Sequence, residues 1–151
     1  MAIRAIIKEN DETIRKTSRP VEKFDEKLAI LVGDMKDTMY KSNGVGIAAV
    51  QVGILRQIFV IDFDEDGMQE FINPTLHDFS EETQTGQEGC LSCPGKFGDV
   101  TRPMRVSVTA QNIKGETFTK TMEGLYARCA CHEFDHLSGG LFIDKVEGDL
   151  Y

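Results

Sequence analysis

The chain has 151 residues, of which 40% are hydrophobic and 8% aromatic, and this composition excludes intrinsic disorder. The length suits one folded domain with a real core, which we expect to span residues 1–151. The formal net charge of −8 argues against nucleic acid as a primary ligand, because binding to phosphate relies on Lys and Arg. No segment is long and apolar enough for a signal peptide or a membrane span. The four cysteines then favour a reducing, cytoplasmic compartment.

The first strongly periodic segment predicts a helix from about Asp25, a favourable N-cap, to about Ser42. A glycine-containing run, Asn-Gly-Val-Gly-Ile-Ala-Ala-Val-Gln-Val-Gly, follows at residues 43–53. Gln51 lies in an otherwise apolar stretch, and a buried amide needs partners, so it either caps a loop or serves a ligand. The apolar residues that give the helix its 3.6-residue period are Leu28, Leu31, Val32, Met35 and Met39.

The middle of the chain is dominated by predicted strands. Residues 57–63 read as a buried strand, and residues 105–112 and 117–123 alternate as two further strands around a turn at Lys114-Gly115. Residues 80–87 form a polar stretch that we interpret as rich in turns. With one helix before these strands and one after them, the pattern predicts an α+β fold with mostly antiparallel sheets.

The most informative segment lies near the C-terminus and reads His132-Glu-Phe-Asp-His136. Residues four apart share one face of a helix, so both imidazoles can reach one metal ion. Glu133 can reach a water on that ion, which is the pattern of metal-assisted hydrolysis. Gly139-Gly140 supplies a credible helix end. The alternative is an ordinary amphipathic helix with two surface histidines.

Cys90, in the sequence Glu-Gly-Cys-Leu-Ser, offers a third ligand. Three protein ligands would leave a fourth position open for water or substrate, as in catalytic sites. A small buried apolar residue is the usual role of a cysteine, and it remains an alternative here. A second alternative is a closed structural zinc site, which would use Cys90, Cys93, Cys129 and Cys131.

Three segments together resemble the motifs of the peptide deformylase family, in the same order. They are residues 44–51 (Gly-Val-Gly-Ile-Ala-Ala-Val-Gln), 88–92 (Glu-Gly-Cys-Leu-Ser) and 132–136. The chain departs from the family pattern at Cys93, where a branched apolar residue is usual, and at Cys131, where Gln is common.

The resemblance implies sheets packed around a central metal-bearing helix. It also implies a hydrolase that removes the formyl group from the N-terminal formyl-methionine of newly made polypeptides and releases formate. Cys90, His132 and His136 would bind one divalent metal, with Fe2+ expected in the cell and Zn2+ or Ni2+ possible after purification. Glu133 would act as the general base, and the Gln51 side chain and the Leu91 N–H would stabilise the oxyanion.

The implied substrate-binding residues are Val45, Gly46, Gly89, Leu125 and Cys129. We expect N-formylmethionyl nascent peptides as partners, no stable binding to ribosomes or membranes, and a monomer. The rival classes are a generic His-Glu-x-x-His zinc peptidase, a structural-metal protein and a peptide-binding relative without activity. Asp135 would orient a metal histidine or pair with Arg102, and Glu88 is a second possible partner of that arginine.

Overall fold

The computed structural model describes residues 2–151 and contains two α-helices and seven strands. The helices are α1 (Glu26–Lys41) and α2 (Leu125–His136). The strands are β1 (Gly46–Ala48), β2 (Ile58–Asp62), β3 (Met68–His77), β4 (Thr83–Cys90), β5 (Cys93–Pro103), β6 (Arg105–Gln111) and β7 (Thr117–Glu123). Every pairing between these strands is antiparallel, so the predicted α+β class is confirmed.

The seven strands form two separate sheets. Five strands pair in the order β1-β2-β3-β6-β7, and β4 pairs with β5 as a long hairpin. Alternation along β2 divides the core, because Phe59 and Ile61 face one apolar cluster while Ile58 and Val60 face the other. The first cluster includes Ala127 and Ala130 of α2, and the second contains the buried face of α1.

Helix α1 begins and ends where its sequence predicts. The Asp25 side chain accepts a hydrogen bond from the Leu28 backbone N–H at 3.1 Å, as an N-cap does. Helix α2 contacts strands of both sheets, which confirms its predicted central position. It ends at His136, and Gly139, with a φ of +83°, reverses the chain after it.

The turn-rich interpretation of residues 80–87 is wrong. From Thr83 onward this stretch belongs to β4. Most side chains of β4 are polar, and most of its residues are exposed or half-buried. The segment is held as a strand by its pairing with β5, which runs from Thr83 opposite Pro103 to Cys90 opposite Cys93. Polar alternation without an apolar face carries little local signal for a strand.

Within residues 2–151, neither helix has the length and apolar character needed to cross a membrane.

Candidate metal centre and cleft

Three side chains from two distant segments meet at the end of the β4–β5 hairpin. The ligand atoms of Cys90, His132 and His136 all lie within 4.8 Å of one another, and this is the only such group of three or more within residues 2–151. The His136 Nε2 is 3.5 Å from the Cys90 Sγ, so this nitrogen faces the common centre. One thiolate and two imidazoles are a donor set that suits Zn2+, Fe2+, Co2+ or Ni2+. The residues present therefore fit a divalent transition metal.

Glu88 fixes the orientation of the first histidine. The His132 Nδ1 donates to the Glu88 Oε1 at 2.9 Å, which leaves the Nε2 of that ring for a metal. Arg102 donates to both oxygens of Glu88, at 2.9 and 3.0 Å, and Arg128 donates to its Oε2 at 2.6 Å. Burial alone would raise the pKa of Glu88, but the hydrogen bonds from His132 and Arg102 outweigh it and lower the pKa to about 2. The carboxylate is thus held in its charged form.

The two predicted partners of Arg102 are both present. The Arg102 Nη1 donates to the Asp135 Oδ2 at 2.8 Å, so Asp135 pairs with the arginine. Glu88, and not Asp135, orients the histidine. His136 lacks a corresponding support, because its buried Nδ1 has no hydrogen-bond partner among residues 2–151.

Glu133 is buried beside the ligand group without belonging to it. Its Oε1 lies 4.0 Å from the His136 Nε2, and that oxygen has no hydrogen-bond partner within the described residues. Burial raises the pKa of Glu133 to about 7. A Cβ at Gly46 would lie only 2.8 Å from the Glu133 Oε2, so the missing side chain at position 46 makes room for this carboxylate.

Gln51 lies at the other side of the thiol. Its Oε1 accepts from the Ala48 backbone N–H at 2.9 Å, which fixes the orientation of the amide. The Nε2 donates to the Ser92 Oγ at 3.2 Å and lies 3.5 Å from the Cys90 Sγ. The amide donor is therefore oriented before any ligand arrives.

A cleft of about 490 Å3 opens above these groups. Its walls come from the loop before β1, the end of β4 and the outer face of α2. Every residue predicted to contact substrate lies on it, as do Gln51, Leu91, Cys90, His132 and Glu133, whereas His136 lies beneath it and is fully buried. A larger groove of about 780 Å3 elsewhere on the surface contains none of the predicted site residues. The predicted contact residues on the cleft are Val45, Gly46, Gly89, Leu125 and Cys129.

The structure does not assemble the closed four-cysteine zinc site. All four cysteines are free thiols, and within residues 2–151 no group of potential ligands combines Cys90 with Cys129 and Cys131. Cys93 instead packs in the core beside Cys90, and Cys131 packs in the same apolar cluster.

Sequence reasoning missed three residues at the site. Arg128 lies one helical turn before His132, and that spacing could have placed it beside Glu88. Ser92 anchors the Gln51 amide across 41 residues of chain, and Phe97 lines the cleft beside Gly89. No local pattern signals the last two contacts, because both depend on how β4 and β5 pair.

Comparisons with known proteins agree with this geometry. The family model described as polypeptide deformylase matches residues 3–149. A peptide deformylase from Caldicellulosiruptor bescii is 51% identical over 146 residues, which covers 97% of this chain and 87% of the relative. A relative of the same name from Finegoldia magna is 50% identical and covers 97% of this chain and 91% of its own. The crystal structure of peptide deformylase from Thermotoga maritima superposes with a TM-score of 0.94 at 41% identity, covering 98% of this chain and 100% of the other. The chain therefore belongs to the polypeptide deformylase family.

Proposed function

We propose that Cys90, His132 and His136 bind one divalent metal in this enzyme and that Glu133 is its general base. The family activity is metal-dependent removal of the N-formyl group from newly made polypeptides, and this chain is a hydrolase of that kind. The observation that carries the residue assignment is the convergence of one thiol and two imidazoles, with a buried carboxylate alongside. We further propose that residues 1–151 act as one catalytic domain, as a monomer in the cytoplasm.

When bound, a divalent metal supplies hydroxide at neutral pH by lowering the pKa of a water ligand to about 7. The Glu133 carboxylate takes a proton from the attacking water and then gives it to the departing amine nitrogen. Burial raises the pKa of Glu133 to about 7. A pKa near the working pH suits both steps, because the group can accept a proton and also give it up. Formate and a free N-terminal amine are the products.

The formyl oxygen gains negative charge as the carbonyl carbon becomes tetrahedral. The Gln51 Nε2 is our proposed side-chain donor to that oxygen, because the Ala48 and Ser92 contacts hold it beside Cys90. The Leu91 backbone N–H is the proposed second donor, since Leu91 follows Cys90 directly and lines the cleft. Removing a donor of this type typically slows turnover by about 10²–10³-fold.

The peptide is proposed to lie extended in the cleft. Strand β1 is an edge of the larger sheet and β4 is an edge of the hairpin, and residues 44–46 and 87–89 both line the cleft. Extended peptides bind such edges through backbone hydrogen bonds, with pockets for alternate side chains. We propose that Val45, Leu125 and Cys129 form the methionine pocket and that Gly46 and Gly89 contact the peptide backbone.

We propose Fe2+ as the metal in the cell, with Zn2+ or Ni2+ acquired during purification. The test of function is an anaerobic assay of the Fe2+-loaded protein with three peptides. The first begins with formyl-Met and the second with acetyl-Met. The third has a free N-terminal amine, so it can be cleaved only at its internal peptide bonds. Formate release from the first peptide alone is expected, whereas cleavage of the third would support a generic peptidase.

The ligand assignment has its own test. The Co2+-substituted protein should show a thiolate-to-cobalt absorption band that is lost in Cys90→Ala and kept in the matched variant Cys131→Val. A band that survives in Cys90→Ala and disappears in Cys93→Ala would show that Cys93, and not Cys90, is the ligand.

A further inference from the structure

The hairpin that carries Cys90 places a second thiol directly opposite it. Cys90 ends β4 and Cys93 begins β5, with only the turn residues Leu91 and Ser92 between them. The two cysteines are Cα partners in the strand pairing, directly after a register shift between Gly89 and Cys90. Paired residues of antiparallel strands have Cα atoms about 4.5–5.5 Å apart, with side chains on the same face. Disulfides bridge Cα separations of about 4.4–6.8 Å. The strand pairing therefore places the two Cα atoms at a separation that a disulfide can bridge.

The two sulfurs differ in their access to solvent. Cys90 is half-buried and lines the cleft, so a small molecule that enters the cleft can reach it. Cys93 is 1% exposed and is not part of the cleft wall. An oxidant would thus react with Cys90 first, and Cys93 would meet the oxidised sulfur from the protein side. This division matches an attacking cysteine and its resolving partner.

We propose that Cys90 and Cys93 form an oxidative modification site, at which a hydroperoxide converts the metal-free pair into a reversible disulfide. The Cys90 sulfur attacks the peroxide, the O–O bond breaks, and a sulfenic acid and an alcohol or water form. The Cys93 sulfur then attacks the Cys90 sulfur, the S–S bond forms, the S–O bond breaks, and water leaves with the thiol proton. The two thiols lose two electrons and two protons in total, and the hydroperoxide gains them.

The disulfide would inactivate the site and would also protect Cys90 from irreversible oxidation. A sulfenic acid without a neighbouring thiol proceeds to sulfinic and sulfonic acids, which thiols do not reduce. Closing the short hairpin ring competes with that second oxidation because Cys93 needs no diffusion to reach Cys90. The disulfide also removes the thiolate donor. Its effect on metal binding rests on the proposed function, whereas its formation rests on the hairpin alone.

Mass analysis of the whole chain can identify the bond directly. Trypsin cleaves after Arg56 and Lys96, so one peptide, residues 57–96, contains Cys90 and Cys93 and no other cysteine. A second peptide, residues 129–145, contains Cys129 and Cys131. We expect chelator-treated protein exposed to stoichiometric hydrogen peroxide to yield the 57–96 peptide lighter by two hydrogens and resistant to alkylation. Dithiothreitol should restore both its alkylation and the binding of Co2+.

Two variants complete the experiment. In Cys93→Val, the 57–96 peptide should gain oxygen atoms instead, and Co2+ binding recovered with dithiothreitol should fall at least about tenfold below wild type. Cys131→Val is the matched control and should behave as wild type. Oxygen addition to wild-type Cys90 without loss of hydrogens, or a bond to the 129–145 peptide, would overturn the proposal. If Cys93→Val does not fold, the wild-type peptide map and its reversal still decide. A mapped disulfide without any change in Co2+ binding would contradict the ligand assignment instead.

Discussion

At the scale of single residues, the burial of Glu133 supports its proposed role in proton transfer. It is 4% exposed, one of its oxygens has no hydrogen-bond partner within residues 2–151, and Gly46 leaves the space that its carboxylate fills. An uncompensated buried carboxylate destabilises a fold, so its retention here suggests a chemical role.

We expect Glu133→Gln to keep its metal and lose about 10²–10⁴-fold in deformylation rate, because the base acts on a proton and does not bind the metal. Metal content by mass spectrometry and formate release at matched metal loading measure the two properties separately. Glu65→Gln, in an exposed turn, is the matched control and should leave both unchanged. Near-normal turnover in Glu133→Gln would remove Glu133 from the role.

At the scale of elements, the turn that follows α2 requires a glycine at position 139. Gly139 has a φ of +83°, and a Cβ there would lie 2.2 Å from the Arg15 carbonyl oxygen. The Arg15 guanidinium also donates to the Gly139 carbonyl at 3.2 Å. The N-terminal segment therefore packs directly on the turn that follows His136.

Gly139→Ala should consequently destabilise the protein more than Gly53→Ala. Gly53 has nearly the same φ, +82°, but no atom within 4 Å of a Cβ, so its change measures the backbone cost alone, about 1–2 kcal/mol. The clash at Gly139 should add about 1–3 kcal/mol. Urea denaturation with an unchanged slope measures the difference, and equal losses in the two variants would contradict the packing argument.

The elements also show what sequence could and could not predict. Helix α1 was predictable because its cap and its apolar period are local. The pair of histidines proposed to bind metal on α2 could be recognised from the spacing of His132 and His136. The strand character of residues 83–87 was not, because it comes from pairing with β5. The Glu88–His132 contact joins residues 44 apart in the chain, and only the folded hairpin brings them together.

At the scale of the whole molecule, the distribution of charge bears on whether the protein can bind ribosomal RNA. Two of the five Lys and Arg residues in the first 19 positions are neutralised, since Arg4 pairs with Asp34 at 2.9 Å and Arg15 pairs with Asp144 at 2.6 Å. The remaining three, Lys8, Lys16 and Arg19, are too few to displace many counterions from RNA.

We therefore expect little stable affinity for ribosomes, with substrate found by diffusion. Co-sedimentation with ribosomes at physiological salt should leave the protein in the supernatant. Saturable, submicromolar binding that weakens steeply with added salt would contradict this and reveal a basic surface.

The separation of the proposed metal ligands along the chain has a consequence for the synthesis of the enzyme itself. Cys90 and His136 are 46 residues apart, and β5, β6, β7 and α2 must be made between them before the third ligand exists. A growing copy therefore lacks the complete proposed site until α2 has been made, so only completed copies can deformylate peptides. In a translation mixture free of other deformylases, the removal rate should rise with the amount of completed enzyme. A removal rate that is independent of that amount would contradict this.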